Sequence, residues 1–282
     1  MVLLHSLDAL REWQAAASWG TAQGGFVPTM GAMHEGHSSL IREACGLSDL
    51  VVVSVLVNPT QFNDARDFAL YPRDLEADAA KAKAAGAHAL FAPSAEELYG
   101  GLPEAKPVNW GALTHTFEGA HRPGHFDGVI AVVDLLFEAV RPKVAVFGEK
   151  DLQQVAVVRR LAQERHPELR VVVGKLIREA NGLALSSRNA RLNHEGRRHA
   201  LALSRTLNSL QEAVRLGQDW EQALHHQRQL LARSPGVALE YLDAVNPETF
   251  EPVIPNQSMK AYAVVAASVQ GVRLIDNAPL RT

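Results

Sequence analysis

A chain of 282 residues has room for one large or two ordinary domains, and with 47% apolar and 21% charged residues it is globular rather than fibrous or disordered. Its formal net charge of −3 gives no general attraction to nucleic acid or to an anionic membrane, so a small-molecule role fits better. The single cysteine, Cys45, rules out an intramolecular disulfide, and no apolar run approaches the roughly 20 residues needed to span a bilayer. The first residues lack the basic-then-apolar pattern of a secretion signal, so a cytoplasmic location is expected.

Apolar residues at helical spacing (Leu7, Leu10, Trp13, Ala17) predict a helix over 5–18, with Ser6 or Asp8 as its cap. A short apolar strand then ends at Pro28, a glycine-bearing turn follows, and an apolar helix opens near Ser38 and runs through Leu40 and Ile41. This strand-turn-helix is the stretch around which the chain is organised. Gly31 and Gly36 let the backbone approach a ligand, the unpaired N–H groups of the helix start favour an anion, and His34 and His37 add donors beside it. The two histidines also read as ordinary cap or surface residues. Zinc ligation finds no Glu-x-x-His set or cysteine cluster to complete it. Gly31 to Ser38 approximates the Walker A spacing, but His37 stands in place of its lysine, which disfavours a P-loop.

Residues 50–57 form a continuous β-branched run, too apolar for a half-exposed strand, and are expected as a central parallel strand. Beyond it come Asn58-Pro59-Thr60-Gln61-Phe62-Asn63, at the strand end where open α/β sheets bind ligands. Asn58 and Gln61 are placed there to hydrogen-bond a polar substrate, or else form an ordinary Asn-Pro turn. Tyr71-Pro72-Arg73 precedes an alanine-rich helix over 74–85 that Gly86 closes, Leu90 and Phe91 belong to a third strand, and 93–107 is loop-rich.

Arg122-Pro123-Gly124-His125-Phe126 leads into an apolar helix through Ala139, with Arg122 and His125 able to face an anion at its start. A strand over 143–147 turns through Gly148-Glu149-Lys150-Asp151-Leu152-Gln153-Gln154 into a further helix. Lys150 suits a phosphate, Asp151 a magnesium ion and Gln154 a substrate amide contact, although Lys-Asp at a solvated helix start is commonplace. After a strand over 169–173, Ser186, Ser187 and Arg188 offer hydroxyls and a bidentate fork for phosphate oxygens, or a capped turn.

The composition then shifts. Helices over 195–216 and 220–231 are followed by strands over 237–245, 259–267 and 272–275, the last two joined by a hairpin at Val269-Gln270-Gly271. An α/β fold is expected, with a doubly wound parallel sheet over 1–175 and a smaller α+β domain over 176–282. Its loops supply phosphate donors, a magnesium ligand and neutral amides, with no Ser-His-Asp or Cys-His arrangement. That set suits phosphoryl or nucleotidyl transfer, in which positioning and charge stabilisation outweigh covalent work.

Several blocks carry a resemblance. Pro28-Thr29-Met30-Gly31-Ala32-Met33-His34-Glu35-Gly36-His37, Asn58-Pro59-Thr60-Gln61-Phe62, Tyr71-Pro72-Arg73, Arg122-Pro123-Gly124-His125-Phe126, Phe147-Gly148-Glu149-Lys150-Asp151-Leu152-Gln153-Gln154 and Ser186-Ser187-Arg188-Asn189 follow one another in family order. With Asp243-Ala244-Val245 and Lys260-Ala261-Tyr262, they make the chain resemble the pantothenate synthetase (pantoate–beta-alanine ligase) family, within the HxGH nucleotidyltransferase superfamily.

The resemblance implies a Rossmann-like domain with a C-terminal lid, ATP and Mg2+, a homodimer, and two steps: pantoate and ATP give a pantoyl adenylate, which beta-alanine then attacks. It also implies that ATP is held by Met30, Gly31, His34, His37, Gly148, Lys150, Asp151, Ser186, Ser187 and Arg188, with His34, His37, Lys150 and Arg188 catalytic. Gln61, Gln154 and Asn58 would serve pantoate, and Asp151 the metal. The chain departs from the usual pattern at Ala131 (threonine), Asn181 (aspartate), Leu185 (methionine) and Arg191 (tyrosine). A nucleotidylyltransferase and a nucleotide-binding protein without turnover are the competing readings, the second opposed by the presence of every charged site residue.

Overall fold

The computed structural model describes residues 1–255 and 260–281, so Met259, where a strand was expected to begin, lies outside the described residues. The chain divides into two compact units, Met1–Glu149 with Val157–Lys175, and Lys150–Ala156 with Leu176–Thr282. A break after residue 175 was expected. The inclusion of 150–156 in the second unit was not.

The first unit is built on six parallel strands: β1 (Val2–Leu4), β2 (Gly24–Thr29), β3 (Leu50–Val55), β4 (Ala89–Phe91), β5 (Val144–Gly148) and β6 (Arg170–Gly174). Their order is β1-β4-β3-β2-β5-β6. From β2 the chain steps outward to β3 and β4, then returns to β5 on the other side of β2. The winding therefore reverses between β2 and β5, and the loops leaving those two strands diverge there. This is the kind of crevice in which open α/β sheets bind ligands.

The β-branched run of β3 is central and fully buried at Val51, Val52 and Val53, as a strand covered on both faces requires. The helix Glu35–Leu47 lays Leu40, Ile41 and Ala44 on the sheet, and Gly174 admits it, because a Cβ there would collide with Leu40. The helix His125–Val140 packs Phe137 edge-on to Phe26 and Phe147, with centroids 6.3 and 6.2 Å apart. The alanine-rich helix runs Leu75–Ala84 under an Asp74 cap and ends before Gly86 at φ +103°. Strand β1 and the short helices Ala65–Ala69, Ala95–Tyr99, Ala112–His115 and Glu118–His121 were not anticipated, each being too short to show a periodicity.

In the second unit the helices His194–Arg215 and Trp220–Ala232 cover an antiparallel sheet, β7 (Val237–Val245), β8 (Ala261–Val269) and β9 (Val272–Arg281), in that order. Leu203, Leu207, Leu210, Leu231, Leu242, Val265 and Ala267 form its core. Gln270 and Gly271 make the β8–β9 hairpin with both φ angles positive (+51° and +74°), as a two-residue loop needs. β9 runs well past the expected end at 275, with Pro279 tolerated because the strand lies at the sheet edge. No helix among the described residues is long and apolar enough to cross a membrane.

Candidate active site

The glycine-bearing turn after β2 carries the first group of candidates. The helix that follows opens at Glu35 rather than near Ser38, and His34 is its N-cap. Gly31 (φ +81°) and Ala32 (φ +49°) reverse the chain. Behind them Asp78, only 2% exposed, accepts the N–H groups of Ala32 at 3.0 Å and Met33 at 2.7 Å, and Lys81 Nζ donates to the Met33 carbonyl at 2.7 Å. A side chain at position 31 would press on Asp78 Oδ2, with its Cβ only 2.6 Å away.

The histidines combine the two readings given to them. His34 Nδ1 accepts the Gly36 N–H at 3.1 Å, and His37 Nδ1 accepts the His34 N–H at 3.3 Å. A ring nitrogen that accepts carries no proton, so in the neutral rings the proton lies on Nε2. The rings lie 4.2 Å apart and tilted by 34°. Capping thus sets the tautomer in which each ring is a donor at Nε2, at a helix end that already favours an anion.

Next along the carboxyl edge, β3 leads to the 3-10 turn Pro59–Gln61. Asn58 Nδ2 donates to Gln61 Oε1 at 3.2 Å and to the Gly128 carbonyl at 3.1 Å, while its Oδ1 accepts from the Thr60 and Tyr99 hydroxyls, both at 3.0 Å. Burial pushes the Tyr99 hydroxyl pKa up, which keeps it a donor. Asn58, expected to meet a substrate, is 1% exposed with both ends of its amide engaged, one of them on Gln61. Gln61 Nε2 is turned to the Met30 sulfur, 2.8 Å away.

Arg122 and His125 also differ from expectation. They were placed to face an anion, but His125 Nδ1 donates to the Gln61 carbonyl at 2.9 Å and Arg122 Nη2 donates to it at 3.3 Å. His125 Nε2 then accepts from Arg122 Nη1 at 3.1 Å, and Glu118 pairs with Arg122 at 3.6 Å. Gln61 is therefore held at its backbone carbonyl and at both ends of its amide, by Asn58 and by the Met30 sulfur. The backbone clamp has no signature in the sequence, since Arg122 and His125 lie more than 60 residues from Gln61. Gly148, the last residue of β5, is half-buried at the reversal of the winding.

The second unit carries the other candidates. Lys150 Nζ pairs with Asp151 Oδ1 at 3.0 Å, and Gln154 sits half-buried in the first turn of the helix Leu152–Arg165. Ser186 caps the 3-10 turn Ser187–Arg191, its Oγ accepting the Arg188 N–H at 3.2 Å. Asn189 braces that turn from behind, donating to the Ala184 carbonyl at 2.9 Å and to Glu179 at 3.3 Å, while Arg197 reaches Glu179 and the Asn189 carbonyl, each at 3.0 Å. Asn181 makes an Asx turn, its Oδ1 accepting the Leu183 N–H at 3.0 Å.

A histidine-capped helix start at the reversal point of a doubly wound sheet places the protein among the open α/β folds that bind ligands in such a crevice. Within that class the sequence is decisive: a model of the pantoate–beta-alanine ligase family matches residues 2–279, and the chain belongs to that family. A pantothenate synthetase of Nocardioides sp. is 46% identical over 286 residues, spanning 99% of this chain and 85% of its own. A crystal structure of pantothenate synthetase from Thermus thermophilus is 41% identical, with a TM-score of 0.92 and both chains fully covered. A pantoate–beta-alanine ligase from Francisella tularensis, complexed with beta-gamma ATP and beta-alanine, is 30% identical with a TM-score of 0.80, covering 100% of this chain and 98% of that one.

Proposed function

We propose that this chain condenses pantoate with beta-alanine, with conversion of ATP to AMP and pyrophosphate, through an enzyme-bound pantoyl adenylate. The pantoate carboxylate, with an ordinary pKa of about 4, is already ionised near neutral pH and attacks the α-phosphorus without a general base. The bond to the leaving pyrophosphate breaks, so this step needs stabilisation of charge on the phosphates. The amine of beta-alanine then attacks the acyl carbon, AMP departs, and the ammonium proton is lost.

Gln61 is the pantoate-binding amide in this reading, with Asn58 orienting it and Gln154 a second amide for the same substrate. The backbone of Met30, Gly31 and Gly148 and the Nε2–H groups of His34 and His37 serve the nucleotide, and Lys150, Ser186, Ser187 and Arg188 serve its phosphates. A single carboxylate suits Mg2+, which is ordinarily held by one or two carboxylates and the substrate phosphates. Asp151 fits that role, and the described residues include no cluster of three metal-binding side chains. The ion, when bound, neutralises phosphate charge. Family resemblance supports a homodimer as the assembly.

The observation that carries the reading is a buried, doubly clamped glutamine on the same carboxyl edge as a histidine-capped helix start. Labelled pyrophosphate should exchange into ATP only when pantoate is present, with beta-alanine absent and Mg2+ supplied. His34→Ala and Arg188→Ala should slow that exchange far more than they lower the unfolding midpoint. Exchange without pantoate would instead indicate nucleotidyl transfer, and no exchange in the parent would remove the adenylate.

A further inference from the structure

The Lys150–Asp151 turn and the loop that leads to Ser186–Arg188 lie far apart in sequence, yet both are tied to two adjacent residues of β9, the loop through Arg178, which bridges to Ala184 beside that turn. Asn277 Nδ2 donates to the Lys150 carbonyl at 3.0 Å. Arg178, at the start of the loop that leads to Ser186, forms a fork on Asp276: Nη1 donates to Oδ2 at 2.7 Å and Nη2 to Oδ1 at 2.9 Å. The same guanidinium donates to the carbonyls of Gly182 and Asn277, each at 3.1 Å, and the Asn277 N–H closes the set on Asp276 Oδ1 at 2.8 Å.

Asp276 and Asn277 are 5% and 4% exposed and pair with Val265 and Val264 of β8, so the anchor sits in the interior of a hairpin. Burial pushes the Asp276 carboxyl pKa up, against the pull of Arg178 and the nearby Lys150 charge. A buried ion pair recovers little net stability after its desolvation. What a bidentate fork does supply is a fixed direction and separation.

This inference rests on the reading of Lys150 and Ser186–Arg188 as phosphate-holding groups. We propose that Asp276 and Asn277 are positioning residues for ATP: without touching it, they fix the spacing of the two turns that hold its phosphates.

Asn277→Asp keeps the side-chain volume but turns an oxygen towards the Lys150 carbonyl, and Arg178→Lys removes the fork on Asp276. In pantoate-dependent pyrophosphate exchange, either variant should raise KM for ATP about tenfold while KM for pantoate stays within about twofold of the parent. Added to Lys150→Ala, Asn277→Asp should cost nothing more, because its effect passes through Lys150.

Equal rises in both KM values, or full additivity with Lys150→Ala, would overturn the positioning role. If Lys150→Ala raises KM for ATP but Asn277→Asp and Arg178→Lys behave as the parent, the positioning role alone fails. An unchanged KM for ATP in Lys150→Ala would overturn the phosphate-holding reading and this inference with it. Should Asn277→Asp not fold, Arg178→Lys decides by the same split between the two substrates.

Discussion

Asp78 lies outside every sequence motif, yet its two oxygens hold the turn that presents His34. Asp78→Asn keeps the shape and sets an amide against a backbone N–H, leaving buried donors unpaired. The variant should lose about 1–3 kcal/mol of stability, read from urea unfolding, with KM for ATP rising in parallel. Unchanged stability would mean that the turn holds without the carboxylate. A trace of this role was available in the sequence: Leu75, Ala79 and Ala82 form the apolar face of the helix Leu75–Ala84, and Asp78 falls on that face. The acid was legible as misplaced, but not what it would bind. Similarly, the His34 cap was one of two readings left open, and the geometry unites them by giving Nδ1 to the helix and the proton to Nε2.

At the scale of elements, long apolar runs were readable and contacts between elements were not. The β-branched run of β3, the bounds of the alanine-rich helix and the β8–β9 hairpin follow from local chemistry, since burial on both faces, a cap with its closing glycine, and paired positive φ angles each leave a residue pattern. Gly128 leaves none. It lies in the first turn of the helix His125–Val140, where a Cβ would collide with the Thr60 carbonyl and come within 2.6 Å of the Gln61 nitrogen. Gly128→Ala should therefore push the turn Pro59–Gln61 off the helix, lowering stability by about 1–3 kcal/mol and raising KM for pantoate more than KM for ATP. Equal effects on the two substrates would separate this contact from the placement of Gln61.

At the scale of the whole molecule, the segment Lys150–Ala156 belongs by its contacts to the second unit although both its neighbours in sequence belong to the first. The Lys150–Asp151 pair therefore shares a unit with the Ser186–Arg188 turn, consistent with their proposed joint service to the phosphates. Asp151 offers a single carboxylate, already paired with Lys150, so a metal should arrive with the nucleotide instead of residing in the fold. Chelation of divalent ions should stop pyrophosphate exchange and leave the melting temperature of the ATP-free protein unchanged, with Mg2+ restoring exchange. A fall in melting temperature on chelation would reveal a structural metal.

The sequence by itself determined the fold class and the family, because periodicity, capping residues and ordered motifs are local properties of the chain. Tertiary structure alone decided what each polar residue does. Asn58 is buried with its amide fully engaged because Gly128 and Tyr99, distant in sequence, close around it. Arg122 and His125 turned from an anion to the Gln61 carbonyl. Asp276 and Asn277 lie beyond the expected strand end at 275, yet they continue β9 because β8 supplies the pairing partners. A hydrogen bond depends on which two groups meet, and for these residues the partner lies on another element.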